Sequence, residues 1–355
     1  MHGRSAVAVL PVHYPKELLT ALGVLAVELW GPPGAPRGEQ AGRLQPYVCA
    51  VVRNALAFLA SGGADAVDGV LFPHTCDSLQ GLATLATDFG GWGKKALTFQ
   101  HPRGERRESS AAFLEAEMRD LVRELEPLAG RSLEAEELAR AVDLHRAVDS
   151  ARAALLDGRA RLSLADPELY ALLRRGEWLW PEDHLAELER ARAHLGAERA
   201  QSGVPVLVSG YVPEPLSALG ALNRAGAFAA ADDYAAVGRR LVREGGASPA
   251  ADPWSRVVER YWAAPPCPTR SADTGQRLRH LAGLQEQSGA KGVFLHVVKF
   301  CEPELFDVPA IRKFFAARGV PVLYLEGELE SELSGQAVTR IEAFAEILTT
   351  SGRAA

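Results

Sequence analysis

GVFLHVVKFCEPELFDVP, residues 292–309, is the stretch on which the fold turns. Val293 to Val298 is a short apolar, β-branched run of strand length without helical spacing, so it reads as a buried strand. The chain then turns at Cys301 and continues as a helix. GVLFPHTC, residues 69–76, has the same layout of strand, turn and cysteine, followed by a helix-like segment from Asp77 to Ala86. Apolar strands that alternate with helices form βαβ units, which imply a parallel sheet. The repeated layout hints at a duplication within one chain.

Working outward from Gly69, the N-terminal part reads as a helix from Pro15 to Leu22, a β-leaning run from Val24 to Leu29 and a Gly/Pro loop, GPPGAPRG, at 31–38. A helix from Cys49 to Ala60 stops at Gly62-Gly63. The strands Gly69–Phe72 and Ala96–Phe99 flank the helix that starts at Asp77. From Ser109 to about Ala200 strand signals disappear, and Leu114, Met118, Leu121, Leu125 and Leu128 recur at helical spacing. Asp166 and Pro167 predict an N-cap and a first helical position. Strand runs resume at Val206–Val208, Ala227–Ala231, Val293–Val298 and Val322–Leu325, with helical stretches such as Ile311–Ala317 between them. Pro205 and Pro321 suit strand openings. The division is an N-terminal α/β lobe (1–108), a helical bridge (109–200) and a C-terminal α/β lobe (201–355).

Length agrees with two lobes, since 355 residues at 47% apolar exceed what one hydrophobic core usually serves. A formal net charge of -6 repels a phosphate backbone, so nucleic acid is excluded as a partner. The apolar run from Ala6 to Val12 is broken by Pro11 and does not read as a signal peptide. No apolar stretch approaches the ~20 residues that span a bilayer. The expectation is a soluble, cytoplasmic protein with no membrane contact, whose four cysteines are thiols or metal ligands rather than disulfides.

Cys49, Cys76 and Cys301 each stand where a strand-like run or turn gives way to a helix. A helix start carries partial positive charge and unpaired N–H groups, which push a thiol toward the metal-binding thiolate. In parallel sheets ligands gather at the carboxyl ends of strands, beside the point where strand order reverses. Lobes that face one another would bring Cys76 and Cys301 together, with Cys49 joining from its own helix start, and three thiolates can hold one iron-sulfur cluster. The plainer alternative is three buried thiols acting as small hydrophobes. Zinc spacing is absent, and Cys267, in the loop APPCPTR, reads as structural.

Other polar residues carry two readings each. His74 and His13 either serve a cluster sulfur or a proton, or are partly buried histidines. Glu302 and Asp77 are acid/base candidates or companions of a helix dipole. Asp232 and Asp233 sit at a strand end or cap the next helix. Arg103, Arg106 and Arg107 meet a phosphate or lie on a solvated loop. The chain has no GxxxxGK[ST] loop and no GxGxxG after a strand, and Ser209 is outside any GxSxG elbow.

Taken together, HYPKELLTALG (13–23), QPYVC (45–49), FPHTCDSLQG (72–81), VPVLVSGYVPEP (204–215), AADDYAAVGRR (230–240), DPWSRVVERYWAAPPCP (252–268), VVKFCEPELFDVPAIRKFF (297–315), GVPVLYLEGE (319–328) and TRIEAFAEIL (339–348) cover nearly the whole chain. In order and spacing they resemble the 2-hydroxyacyl-CoA dehydratase and benzoyl-CoA reductase family, D-component type. The resemblance implies an α/β fold of two Rossmann-like parallel-sheet lobes around a [4Fe-4S] cluster in the cleft. Cys49, Cys76 and Cys301 match its three cysteine ligands, and the fourth iron position is open to a substrate oxygen. It further implies an acyl-CoA substrate, a separate ATP-dependent iron-sulfur activator protein that injects one electron, and a homologous second subunit or a homodimer. In the dehydratase branch a ketyl radical then expels the 2-hydroxyl group. A benzoyl-CoA reductase branch and a double-cubane [8Fe-9S] branch would use the same three cysteines. Glu302, His74 and Ser78 are the candidates beside the ligands for proton handling. A chain that kept the fold and lost the cluster would be an α/β binding or scaffold protein.

Overall fold

The computed structural model describes residues 4–32, 34, 42, 44–198, 200–243, 252–270, 273–330 and 332–351. Most of the Gly/Pro loop at 31–38 therefore lies outside the described residues. Two four-stranded sheets organise the chain. The first contains β1 (Ala6–Val9), β2 (Leu25–Glu28), β3 (Gly69–Pro73) and β4 (Lys95–Phe99) in the order β2-β1-β3-β4, all parallel. The second contains β5 (Val204–Gly210), β6 (Ala227–Tyr234), β7 (Gly292–Val298) and β8 (Val322–Gly327) in the order β6-β5-β7-β8, again all parallel. The two orders are the same, which supports duplication. In each sheet the strand order reverses between the first strand and the third, and Cys76 follows β3 as Cys301 follows β7.

Helices α1 (Lys16–Ala21), α2 (Ala50–Ala60), α3 (Asp77–Gln80) and α4 (Leu82–Thr84) belong to the first lobe. The intervening segment holds α5 (Glu108–Ala129), α6 (Ala135–Asp157), α7 (Asp166–Arg174) and α8 (Pro181–Arg192). Beyond β5 the chain carries α9 (Ser217–Arg224), α10 (Pro253–Ala263), α11 (Thr274–Ser288), α12 (Glu302–Ala316) and α13 (Gly335–Ser351). Leu114, Met118, Leu121 and Leu125 of α5 are buried with Val7, Val9, Leu97 and Phe99, so this helix covers one face of the first sheet. Val257 and Val258 of α10 join the same cluster. A larger core is continuous through both lobes, from Ala8, Leu10 and Phe72 through Tyr170 and Leu173 of α7 to Val206, Leu207 and Phe294. No helix among the described residues is long and apolar enough to cross a membrane.

Four local expectations need correction. Ala6–Val9 is the central strand β1; it is buried on both faces, so it lacks the alternation that would have marked it. The helix read from Asp77 to Ala86 is broken at Gly81 into α3 and α4, and ends in a π turn over Leu85–Phe89. Asp166 is the first residue inside α7, not its N-cap, which is Ala165. Its carboxylate is committed elsewhere: it accepts from Arg159 at 2.6 Å, from Asn223 Nδ2 at 2.6 Å and from the Ala229 amide at 2.8 Å. Glu168 supplies the cap instead, accepting from the Ala165 amide at 2.9 Å. Pro205 is the second residue of β5 rather than its opening residue; its carbonyl still accepts from Lys291.

Candidate functional site

Cys49, Cys76 and Cys301 are the N-cap residues of α2, α3 and α12. Cys49 and Cys301 are buried and Cys76 is half-buried, and all are free thiols. Their side chains close no capping hydrogen bond, yet first-turn amides approach each sulfur: Val51 and Val52 at Cys49, Ser78 and Leu79 at Cys76, Glu304 at Cys301. The amides draw each thiol pKa down, as expected of helix starts. Burial is the larger effect, however. It pushes Cys49 up, Cys76 up to about 12 and Cys301 well above the usual thiol value. The helix starts thus act in the expected direction, and desolvation outweighs them.

The three thiols also act on one another. After burial, the charge of Cys49 raises Cys76, and Cys301 is raised first by Glu304 and then by Cys49 and Cys76. Tyr211, the residue after β5, is buried and packs at 5.3 Å from the Trp30 ring. Its phenol is pushed well above the usual value by burial, then by Cys76, Cys301, Cys49 and Cys267 in that order. These groups therefore lie near enough for their charges to interact, and Cys76, Tyr211 and Cys301 each follow the carboxyl end of a strand. Backbone strain marks the same ends. Val12 and His13 after β1 have φ of 75° and 60°, and Phe300 before Cys301 has φ of 63°, a region that side-chain-bearing residues seldom enter.

His74 donates from Nδ1 to Gln100 Oε1 at 2.6 Å, and its buried Nε2 has no partner. Ser78 is half-buried, and Glu302 is exposed on the first turn of α12. The buried carboxylate of that turn is Glu304, paired with Arg239, which sequence reasoning passed over. His101, just beyond β4, was also passed over. Its ring lies 5.2 Å from His13 and its Nδ1 is 2.8 Å from the Tyr261 hydroxyl. That hydroxyl gives its proton to the Pro102 carbonyl at 2.7 Å, so His101 donates from Nδ1 and keeps a bare, unpartnered Nε2. His13 Nε2 is 2.7 Å from Thr269 Oγ1, and Thr269 lies 2.9 Å from Cys267 Sγ. His13, His74 and His101 thus follow three adjacent strands, a pattern that one strand-end histidine at a time does not announce.

The remaining sequence candidates have structural employment. Ser209 donates to Asp233 at 2.6 Å. Asp233 lies between Arg239 and Arg277 at 2.9 and 2.8 Å. Asp232 accepts from the Tyr170 hydroxyl and from the Gly238 amide, both at 2.5 Å. Arg103 is exposed, 3.8 Å from the exposed Asp77, and Arg106 pairs with Glu259. Gly210 ends β5 where a Cβ would collide with the His296 carbonyl of β7, so the two central strands close tightly beneath Tyr211.

Comparison with known proteins gives the family. The lactoyl-CoA dehydratase subunit beta of Anaerotignum propionicum is 25% identical over 98% of this chain and 92% of its own length. The (R)-2-hydroxyglutaryl-CoA dehydratase subunit beta of Acidaminococcus fermentans is 23% identical over 98% of the chain and 93% of its own. A benzoyl-CoA reductase subunit of Thauera aromatica is 26% identical over 94% of the chain and 87% of its own. Residues 11–348 match the family described as 2-hydroxyglutaryl-CoA dehydratase, D-component, and the chain belongs to that family of enzyme subunits.

Proposed function

We propose that this chain is the beta-type subunit of a 2-hydroxyacyl-CoA dehydratase-like enzyme, with Cys49, Cys76 and Cys301 holding a [4Fe-4S] cluster in the cleft between the sheets. The observation that carries the reading is that three thiols, each at a helix N-cap with first-turn amides against the sulfur, influence one another's ionisation. Partial positive charge at three helix ends suits an inorganic core whose thiolate ligands leave it negative. Among the described residues no three His, Cys, Asp or Glu side chains are placed to hold a single metal ion.

When bound, such a cluster supplies one-electron transfer and an exchangeable iron position, which an ATP-dependent activator protein would charge so that an acyl-CoA thioester loses its 2-hydroxyl group by a radical route. This chain's own residues bury the sulfurs, exclude water and handle protons. His74 has a free Nε2 two residues from Cys76, and His101 has its bare Nε2 fixed by Tyr261. Ser78 offers a hydroxyl in the turn after Cys76. Glu302, exposed in the isolated chain, would act from the side that a second subunit or second copy covers. The relatives named as beta subunits support such a partner. The benzoyl-CoA reductase relative favours one second reading, reduction of an aromatic thioester at the same three cysteines.

Anaerobic purification with iron and sulfide analysis tests the proposal. About four irons per chain are expected for a single cubane, and about eight would indicate the fused double-cubane form. Cys76→Ser should lower bound iron sharply while Cys267→Ser keeps it. Equal loss in the two variants would refute the ligand set. Colourless, iron-free protein would leave the chain a binding or scaffold protein of the same fold. Assay of the purified complex with 2-hydroxyacyl and aromatic thioesters separates dehydratase from reductase.

A further inference from the structure

Helices α1 and α6 share the apolar cluster through Leu18, Leu19, Leu138 and Val142, and beside it they also meet through charged and polar side chains. Lys16 and Thr20 of α1 lie against His145, Asp149 and Arg152 of α6, residues spaced to share one face. Between these helices and β2 is a cavity of about 40 Å³. One water needs roughly 10–15 Å³ of such space, so the cavity accommodates a few waters or one small ion. Lys16, Arg152 and Arg240 line it, and Glu28 is the only carboxylate among its described lining residues. Glu28 is already committed to Arg240 by two hydrogen bonds of 2.6 Å.

Of the other two cations, among the described residues, neither has a carboxylate within hydrogen-bond distance: Lys16 has only Asp149, whose Oδ1 makes no hydrogen bond. Arg152, 6% exposed, makes one hydrogen bond, to the Leu173 carbonyl at 2.8 Å, and its Nε has no partner. Lys16 Nζ is 3.8 Å from Asp149, whose other oxygen is bound to Arg260 at 2.7 Å. His145, also 6% exposed, binds Thr20 through Nε2 at 2.9 Å and has an unpartnered Nδ1. A guanidinium removed from water with no carboxylate hydrogen-bonded to it is a costly arrangement that the more distant Asp149 and Glu28 only partly offset, and neutral water adds little. Tyr14, Lys16 and Arg240 also line an adjoining cavity of about 90 Å³ on the side of His13.

We propose that the cavity between α1, α6 and β2 is a binding site for one small monovalent anion, a halide or a carboxylate of formate size, held between Lys16 and Arg152. The site is separate from the three cysteines, and it stands whether or not they hold a cluster. Anomalous scattering from crystals of the full chain soaked in sodium bromide tests it. A bromide peak between Lys16 and Arg152 is the expected result, and its displacement by excess formate would identify a carboxylate site whereas persistence would identify a halide site. Density for water alone would overturn the proposal. In solution, replacing gluconate by chloride or formate at constant ionic strength should raise Tm saturably. Arg152→Gln should raise the half-saturating concentration at least tenfold, with far-UV circular dichroism confirming the fold. If that variant does not fold, Lys16→Gln is read in the same way, and an unchanged half-saturation in the folded variant refutes the site.

Discussion

Asp232 and Asp233 are neighbours in β6 with opposite electrostatics. Burial raises the pKa of Asp233, but Arg239 and Arg277 more than reverse it, so its carboxyl is held well below the usual range. Burial also raises Asp232, here only partly offset by the Tyr170 hydroxyl and the Gly238 amide, and it reaches about 7. The signs follow from linkage. Asp233, with a depressed folded-state value, contributes stability that is present above the unfolded carboxyl value of about 3.9 and lost as pH falls through the folded value. Asp232, with a raised one, makes ionisation costly, so stability declines as pH rises from about 4 to about 7. Urea denaturation across pH should therefore show Asp232→Asn flattening the limb between pH 4 and 7. Asp233→Asn should lose the limb below pH 4 and cost about 3–5 kcal/mol at neutral pH, because Arg239 and Arg277 would be left buried and unpaired. A retained slope between pH 4 and 7 in Asp232→Asn would contradict the assignment. The pair was visible in the sequence, but its chemistry was not, since Arg277 lies 44 residues further along the chain.

Among the elements, α10 shows how a single side chain fixes a helix. Asp252 caps it, accepting from the Ser255 amide at 2.8 Å, and Pro253 occupies the first position, so its start is local and legible. Its location is not local. Val257 and Val258 enter the core beneath the first sheet, and Arg260 reaches Glu17 of α1 at 2.9 Å and Asp149 of α6 at 2.7 Å. Arg260→Ala would leave Glu17 facing a void as an unpaired buried charge, and Asp149 with Lys16 alone at 3.8 Å. A loss of about 3–5 kcal/mol is expected. Hydrogen exchange should quicken in α10 and α1 while β7 retains its protection relative to global unfolding. Uniform quickening would mean that Arg260 serves the whole fold rather than this junction. The same contrast explains the legibility of the cysteine site. Each N-cap cysteine is encoded by its own local entry into a helix, from a strand end at Cys76 and Cys301 and from a turn at Cys49, whereas His101 acquires significance only through Tyr261, 160 residues away, and Glu304 only through Arg239.

At the scale of the molecule, two sheets of identical strand order share one apolar core that passes through α7, so the lobes are not built as independent halves. Repeated strand-turn-cysteine segments made the duplication legible. The shared core was not, because it depends on which face each helix presents after the chain has crossed from one sheet to the other. Val206, Leu207 and Phe294 in the second sheet lie in the same buried cluster as Ala8, Leu10 and Phe72 in the first, and separating the lobes would expose both sets together. Unfolding should accordingly be cooperative across the chain. All six tryptophans, Trp30, Trp92, Trp178, Trp180, Trp254 and Trp262, precede β7, so fluorescence reports the first lobe and the helices around it, while far-UV circular dichroism reports every helix and strand. The two probes should give coincident urea transitions in anaerobically prepared protein. Fluorescence changing at a lower denaturant concentration than dichroism would show that the second sheet stands after the first has opened, and that the common core does not couple them.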